Sequence, residues 1–186
     1  AGLDPEERLR FYHLLAELAE DRIVVLSTHI VEDVAVLCPR FAVIRGGRVE
    51  SVGRKQQLPN YTVFDEQRYF SPGDAPCVVD VDGLRFGLIV CEDVWFPGPA
   101  AQARAAGAQV IVVPNGSPYH TRQQAARLAV VSARARENAL PVVYVNRVGG
   151  QDELVFDGAS FVVAADGSVA QQVPAWHETV ALAAFD

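Results

Sequence analysis

Two side chains stand out by type and setting. Cys91 lies in GLIVCEDVWFPGP (87–99), where an apolar stretch stops at a thiol and two carboxylates, Glu92 and Asp93, follow directly. A strand end projects its side chain rigidly into a pocket, and a thiol there, with charged neighbours to hold it as thiolate, is a competent nucleophile. Lys55 is the only lysine among 16 basic residues. A chain that uses Arg wherever a plain positive charge will do has kept an ammonium here, a compact point charge where guanidinium is planar. Each also has an ordinary reading: a free cysteine is often a buried structural thiol, and a single lysine can sit on the surface.

The elements that must position these groups follow from patterning. Asp4, Pro5, Glu6 and Glu7 form a helix start, with the helix expected to run to about Glu20. RIVVLS (22–27) reads as a strand and residues 28–38 as a short helical turn. RFAVIRGGRVESVG (40–53) reads as a hairpin turning at Gly46-Gly47, which places Lys55 just past its second strand. A loop rich in Pro, Asn and Gly runs to about Pro76. CVVDVDGLRFGLIV (77–90) is a second hairpin, pivoting on Asp82-Gly83, whose outgoing strand delivers Cys91. A helix over 97–107 stopped by Gly107, a buried strand over 108–114 and a long amphipathic helix over 121–139 follow. PVVYVN (141–146), LVFDGASFVVA (154–164) and SVAQQV (168–173) are strands, the last turn falling at Asp166-Gly167. Helices alternating with Val-rich strands and tight hairpins predict a layered α/β protein with a mixed sheet.

Composition excludes several classes. A formal charge of −7 and a pI near 5.1 argue against a nucleic-acid partner, which calls for a basic face. No apolar run reaches the length of a membrane span, and AGLDPEERLR lacks the apolar core of a secretory signal, so a soluble, cytoplasmic protein is expected. Cys38, Cys77 and Cys91 are odd in number and show no CxxC spacing, so neither a disulfide framework nor a zinc site is suggested. With no methionine anywhere, the chain is expected to be a fragment or to lack its natural start.

From about Phe41 onward, RGGRVESVGRKQQLPNYTVFDEQRYFSPGD, FGLIVCEDVWFPGPA, NGSPYHTRQQ and PVVYVNRVGGQDELVFDGASFVV together resemble the glutamine-hydrolysing domain of glutamine-dependent NAD synthetases, within the nitrilase or carbon-nitrogen hydrolase superfamily. The resemblance implies a nitrilase-like layered α/β sandwich over 41–186. It implies Cys91 as the nucleophile toward the glutamine side-chain amide and Lys55 as the catalytic lysine that stabilises the tetrahedral oxyanion. Tyr61, Glu92, Ser117 and Arg122 match positions that line the substrate pocket, and Glu66 a carboxylate that supports the lysine. No cofactor is implied for this step, with ATP belonging to a separate synthetase domain, and a homo-oligomer is implied as in the superfamily. Cys77 and His120 carry no chemistry in this reading.

Residues 1 to about 40 resemble something else: AGLDP followed at helical distance by VVLSTH is similar to the D-loop and switch histidine, here His29, of an ABC-transporter ATPase. No G-x-x-x-x-G-K-[ST] phosphate loop accompanies it. The resemblance to the glutaminase also implies a general-base glutamate upstream of the lysine, and none of Glu6, Glu7, Glu17, Glu20, Glu32 and Glu50 lies in a matching motif. The expectation is an impaired glutamine amidohydrolase, the alternatives being a non-catalytic hybrid or a remnant nucleotide-binding module.

Overall fold

The computed structural model describes residues 10, 14, 40–45, 48–61, 64–68, 70–151 and 153–184. The chain divides into two compact units, 1–39 and 40–186. In the first, Arg10 and Leu14 are helical and exposed, inside the helix expected from Asp4 onward. The strand at 22–27, the turn at 28–38, His29 and Cys38 lie outside the described residues.

The second unit opens with β1 (Arg40–Arg45) and β2 (Arg48–Arg54), an antiparallel hairpin in which Arg45 pairs with Arg48. β3 (Cys77–Val81) and β4 (Leu84–Leu88) form the second hairpin, and its two turn residues sit at φ 54° for Asp82 and 87° for Gly83. That is the left-handed pair which a two-residue turn needs and which Asp-Gly supplies cheaply. Helix α1 (Pro97–Ala105) starts on proline and ends before Gly107, at φ 91°. β5 (Val110–Asn115), α2 (Gln123–Asn138) and β6 (Val142–Asn146) complete two crossovers. β7 (Val148–Gln151) and β8 (Leu154–Asp157) make a separate antiparallel pair, and β9 (Phe161–Val163) and β10 (Val169–Gln172) return to the main sheet.

The main sheet runs β10-β9-β6-β5-β4-β3, with β4, β5 and β6 parallel and the outer pairs antiparallel. α1 packs on β4, α2 on β6 and β9, and the two helices touch each other. Between sheet and helices lie Ile89, Val94, Ala100, Ile111, Val113, Val131, Val142 and Tyr144 among others, with Tyr144 stacked on Phe161 at 4.8 Å between ring centroids. The approach of α1 to β4 is set by Gly87: a Cβ there would stand 2.9 Å from the Cβ atoms of both Ala103 and Ala108, so the contact tolerates only glycine.

One expectation needs correcting, and one strand went unread. LVFDGASFVVA is not one strand but β8 and β9, in different sheets, because Gly158 and Ala159 take φ of 66° and 50° and turn the chain between them. VGGQ, whose glycines disguise it, is strand β7.

Candidate active site

β5 and β6 end side by side, while β4 stops earlier, at Leu88 opposite Val112. In register, Gly87 pairs with Ile111 and Ile111 with Val142, and these residues face the helices. Side chains alternate along a strand, so the same three rows continue through Ile89, Val113 and Tyr144. Two of them finish at Asn115 and Asn146, which pair with each other, while the chain leaving β4 at Leu88 reaches Cys91 three residues on, at the start of a 3-10 helix. Apolar rows thus give way, past the carboxyl ends of the strands where open α/β sheets form their crevices, to a thiol and two amides.

Cys91 opens a single-turn 3-10 helix, Cys91–Trp95, and takes φ 48°, the left-handed region that side chains seldom occupy. Burial pushes its thiol up, the largest effect. The ammonium of Lys55 and the backbone N–H of Gly116, which donates to the sulfur, pull it down, while Glu92 and Glu66 push it up. The net shift is upward. The sequence reading expected neighbours that hold a thiolate; here desolvation outweighs the single cation.

Lys55 stands immediately after β2 and donates to both carboxylate oxygens of Glu66, at 2.6 and 2.7 Å. The two side chains are 12% and 6% exposed, so this is an ion pair shielded from water. Glu66 begins the 3-10 turn Glu66–Arg68, and its N–H donates to the carbonyl of Pro59 at 3.1 Å. Burial pushes its carboxyl up and Lys55 opposes that. The Lys55 carbonyl accepts from Gly73 N–H at 2.8 Å, where the returning loop lies against Arg54.

Asp93 ties the two hairpin exits together. Its Oδ1 accepts from the N–H groups of Gln56 and Gln57 at 2.9 and 2.7 Å, and its Oδ2 from Val90 N–H at 2.9 Å. On the open side, the Tyr61 hydroxyl donates to Glu92 at 2.8 Å, and burial followed by that carboxylate raises the phenol well above its usual value. Tyr61 is nevertheless exposed on one side, with its ring edge-on to Phe64 at 6.1 Å.

Ser117 is buried on the loop after β5 and is held from three sides. Its N–H donates to Asn146 Oδ1 at 2.9 Å, its hydroxyl accepts from Arg127 Nε at 3.1 Å, and its carbonyl accepts from the Arg127 fork at 2.8 Å. Arg127, 1% exposed, also pairs with Asp157 at 2.7 Å.

Of the residues singled out from sequence, Lys55, Glu66, Cys91 and Glu92 are electrostatically coupled, and Tyr61 joins them through Glu92. Ser117 is next to Gly116, the donor to the thiol. Arg122 stands apart, exposed at the N-cap of α2 with φ 71°. His120 is exposed, and Cys77 is buried against Ser51 at 3.4 Å. Asp93, Arg127, Asp157, Asn115 and Asn146 were not anticipated. Arg127 had a signal: it falls on the stripe with Val131, Arg134, Ala135 and Asn138 that α2 buries, where an arginine needs a partner. Among the described residues no group of His, Cys, Asp and Glu is arranged to hold a metal, and no helix is long and apolar enough to cross a membrane.

Known proteins share this arrangement of strands. The glutamine-dependent NAD(+) synthetase of Xanthomonas campestris pv. campestris is 44% identical over 180 residues, 91% of this chain and 33% of that protein. The Aquifex aeolicus protein of the same name is 38% identical over 197 residues, covering 100% of this chain and 35% of its own length. The structure of glutamine-dependent NAD+ synthetase from Acinetobacter baumannii superposes with a TM-score of 0.72 at 35% identity, over 94% of this chain and 34% of that one. A nitrilase-superfamily amidase from Nesterenkonia sp. AN1, with the acetamide moiety of fluoroacetamide added covalently at its active site cysteine, gives a TM-score of 0.61 at 33% identity, over 69% of this chain and 47% of that one. The chain spans about a third of the length of the curated relatives it matches. The family model for carbon-nitrogen hydrolases covers residues 3–186, so the likeness of the first 40 residues to an ABC-transporter ATPase finds no support. With its α/β fold, mixed sheet and strand-end cysteine, the chain belongs to the carbon-nitrogen hydrolase family.

Proposed function

We propose that this chain is the glutamine-hydrolysing part of an NAD synthetase-type enzyme, releasing ammonia from glutamine. The observation that carries the reading is the shielded Lys55–Glu66 pair acting on a strand-end cysteine, in a chain whose curated relatives bear the name glutamine-dependent NAD(+) synthetase. Cys91 sulfur attacks the side-chain amide carbon, and Lys55 stabilises the oxyanion that forms. The C–N bond breaks, ammonia leaves with a proton, and water hydrolyses the thioester to glutamate and the free thiol. Glu66 orients and neutralises Lys55. Tyr61 and Glu92 on one side and Ser117 on the other line the pocket for the amino-acid end of the substrate, and Arg122, exposed and apart at the start of α2, would meet the substrate's carboxylate only by reaching in from solvent. The reaction belongs to the cytoplasm, where such a thiol stays reduced. ATP serves only a synthetase domain, and association into homo-oligomers is part of the reading.

The proton steps want a carboxylate base, worth about 10²- to 10⁴-fold. Upstream of Lys55 the described residues hold one acid, Glu50, and it is exposed on β2. Glu66 and Glu92 are engaged by Lys55 and Tyr61. Attack is therefore expected to outlive turnover: a chloroketone analogue of glutamine labels Cys91 in preference to Cys38 and Cys77, while ammonia release is slow and vanishes in Cys91→Ala. Peptide mapping beside an ammonia assay tests this, and label spread evenly over the three thiols would sink it.

A further inference from the structure

Asp93 carries none of the roles assigned above, yet it is 1% exposed and accepts three backbone hydrogen bonds. A buried carboxylate is costly unless its oxygens are satisfied, and charge-assisted bonds to N–H groups are the strong kind. What matters is where those donors come from. Gln56 and Gln57 directly follow Lys55 and lie beyond the end of β2, with no sheet partner for their N–H groups. Val90 directly precedes Cys91. One carboxylate thus grips the backbone next to each of the two side chains that act on substrate.

The grip on the cysteine side is closed in both directions. Asp93 N–H donates to the Val90 carbonyl at 3.0 Å while Val90 N–H donates to Asp93 Oδ2, a reciprocal ring around Cys91 at its left-handed φ of 48°. A non-glycine residue persists there only when its surroundings over-determine it. We propose that Asp93 is a positioning residue that locks the Lys55 strand exit to the Cys91 turn, so that the ammonium stays in range of the sulfur. This rests on the reading of Cys91 and Lys55 as nucleophile and oxyanion stabiliser. Asn could not substitute, since its NH₂ would face either Val90 N–H or the paired N–H groups of Gln56 and Gln57. Glu would push the two exits apart by a methylene.

The test is the rate of Cys91 alkylation by iodoacetamide against pH, on the full chain, with the labelled peptide identified by mass. Lys55 lowers the thiol's pKa, so loosening Lys55 moves the profile to higher pH. Asp93→Asn is expected to shift it by about one unit, roughly tenfold slower alkylation below the thiol pKa. Lys55→Ala is expected to shift it at least as far, and Asp93→Asn made in the Lys55→Ala background should add nothing. A profile for Asp93→Asn superimposable on wild type, or shifts that add in the double variant, overturns the proposal. Should Asp93→Asn not fold, amide hydrogen exchange on the unaltered chain decides: the Gln56 and Gln57 amides are expected to be protected although they lie in a loop, and free exchange at both refutes the lock. Neither readout needs glutamine, so failure of the proposed hydrolysis is seen separately, in the ammonia assay.

Discussion

Cys91 shows what positioning a candidate nucleophile costs at a single residue. Its φ of 48° is a backbone state that a Cβ disfavours by about 1 kcal/mol or more. Cys91→Gly is therefore expected to be more stable than Cys91→Ala by about 1 kcal/mol, measured by urea unfolding, although both lose the thiol; equal midpoints would mean that the turn is unstrained. Lys55 and Glu66 make a second case. Lys55→Met leaves a buried carboxyl without its cation, and breaking such a pair costs about 3 kcal/mol. Burial already raises Glu66, and losing Lys55 raises it further. The folded variant then holds a proton that the unfolded chain releases, so its stability is kept below the ordinary glutamate pKa and lost as pH rises through the folded value. The gap from wild type should be small near pH 4 and open towards neutrality, read from denaturation midpoints across pH. Lys55→Arg keeps the charge and its fork can still clasp both Glu66 oxygens, but the larger planar head does not fit the buried space that a compact ammonium fills, and a clear loss of glutamine turnover is expected.

At the scale of elements, Arg127 on α2 and Asp157 at the end of β8 bring a helix and the small sheet to bear on the Ser117 loop. Arg127→Met alone strands Asp157 and should cost about 3–5 kcal/mol. The double variant Arg127→Met/Asp157→Leu should regain most of that stability, while KM for glutamine stays raised because the Ser117 hydroxyl then keeps only the 3.5 Å contact from Gln123. Unfolding and kinetics on the same preparations separate the two effects; recovery of KM along with stability would make the pair purely structural. Much at this scale was legible in the sequence. Asp82-Gly83, Gly107 and the Pro97 helix start carry their geometry locally, so both hairpins and both helices fall where residue types place them. What could not be read was relational. That Asn115 and Asn146 finish side by side, next to the strand that leads to Cys91, depends on the pairing of strands separated by helices, and no local pattern encodes it. Arg127 could be placed on the buried stripe of its helix from sequence, but its partner 30 residues on could not be named, and Asp93 was legible only as a charge beside the thiol, not as an acceptor for backbone from two hairpin exits.

Across the whole molecule, the family and its fold followed from motifs dispersed along 41–186, whereas the reading of residues 1–40 leaned on two short stretches, too brief to outweigh a family match that begins at residue 3. Ordered motifs at many positions constrain a fold; a pentapeptide and a histidine do not. The candidate site was legible in its reactive members and not in its scaffold, because thiol, ammonium and carboxylate announce their chemistry by type while the groups that hold them act only through geometry.

The solitary lysine has one more consequence. Apart from the α-amino group, the primary amine of Lys55 is the only one the chain possesses, and it is clasped by Glu66 at 12% exposure. An acylating reagent such as a succinimidyl ester thus meets a protein with almost no reactive amines, and its slow second adduct becomes a clock for the opening of that clasp. In Glu66→Gln the adduct should form many times faster under identical conditions, followed by intact mass. A folded chain that takes the second acyl group as readily as the first would show that the clasp does not hold in solution.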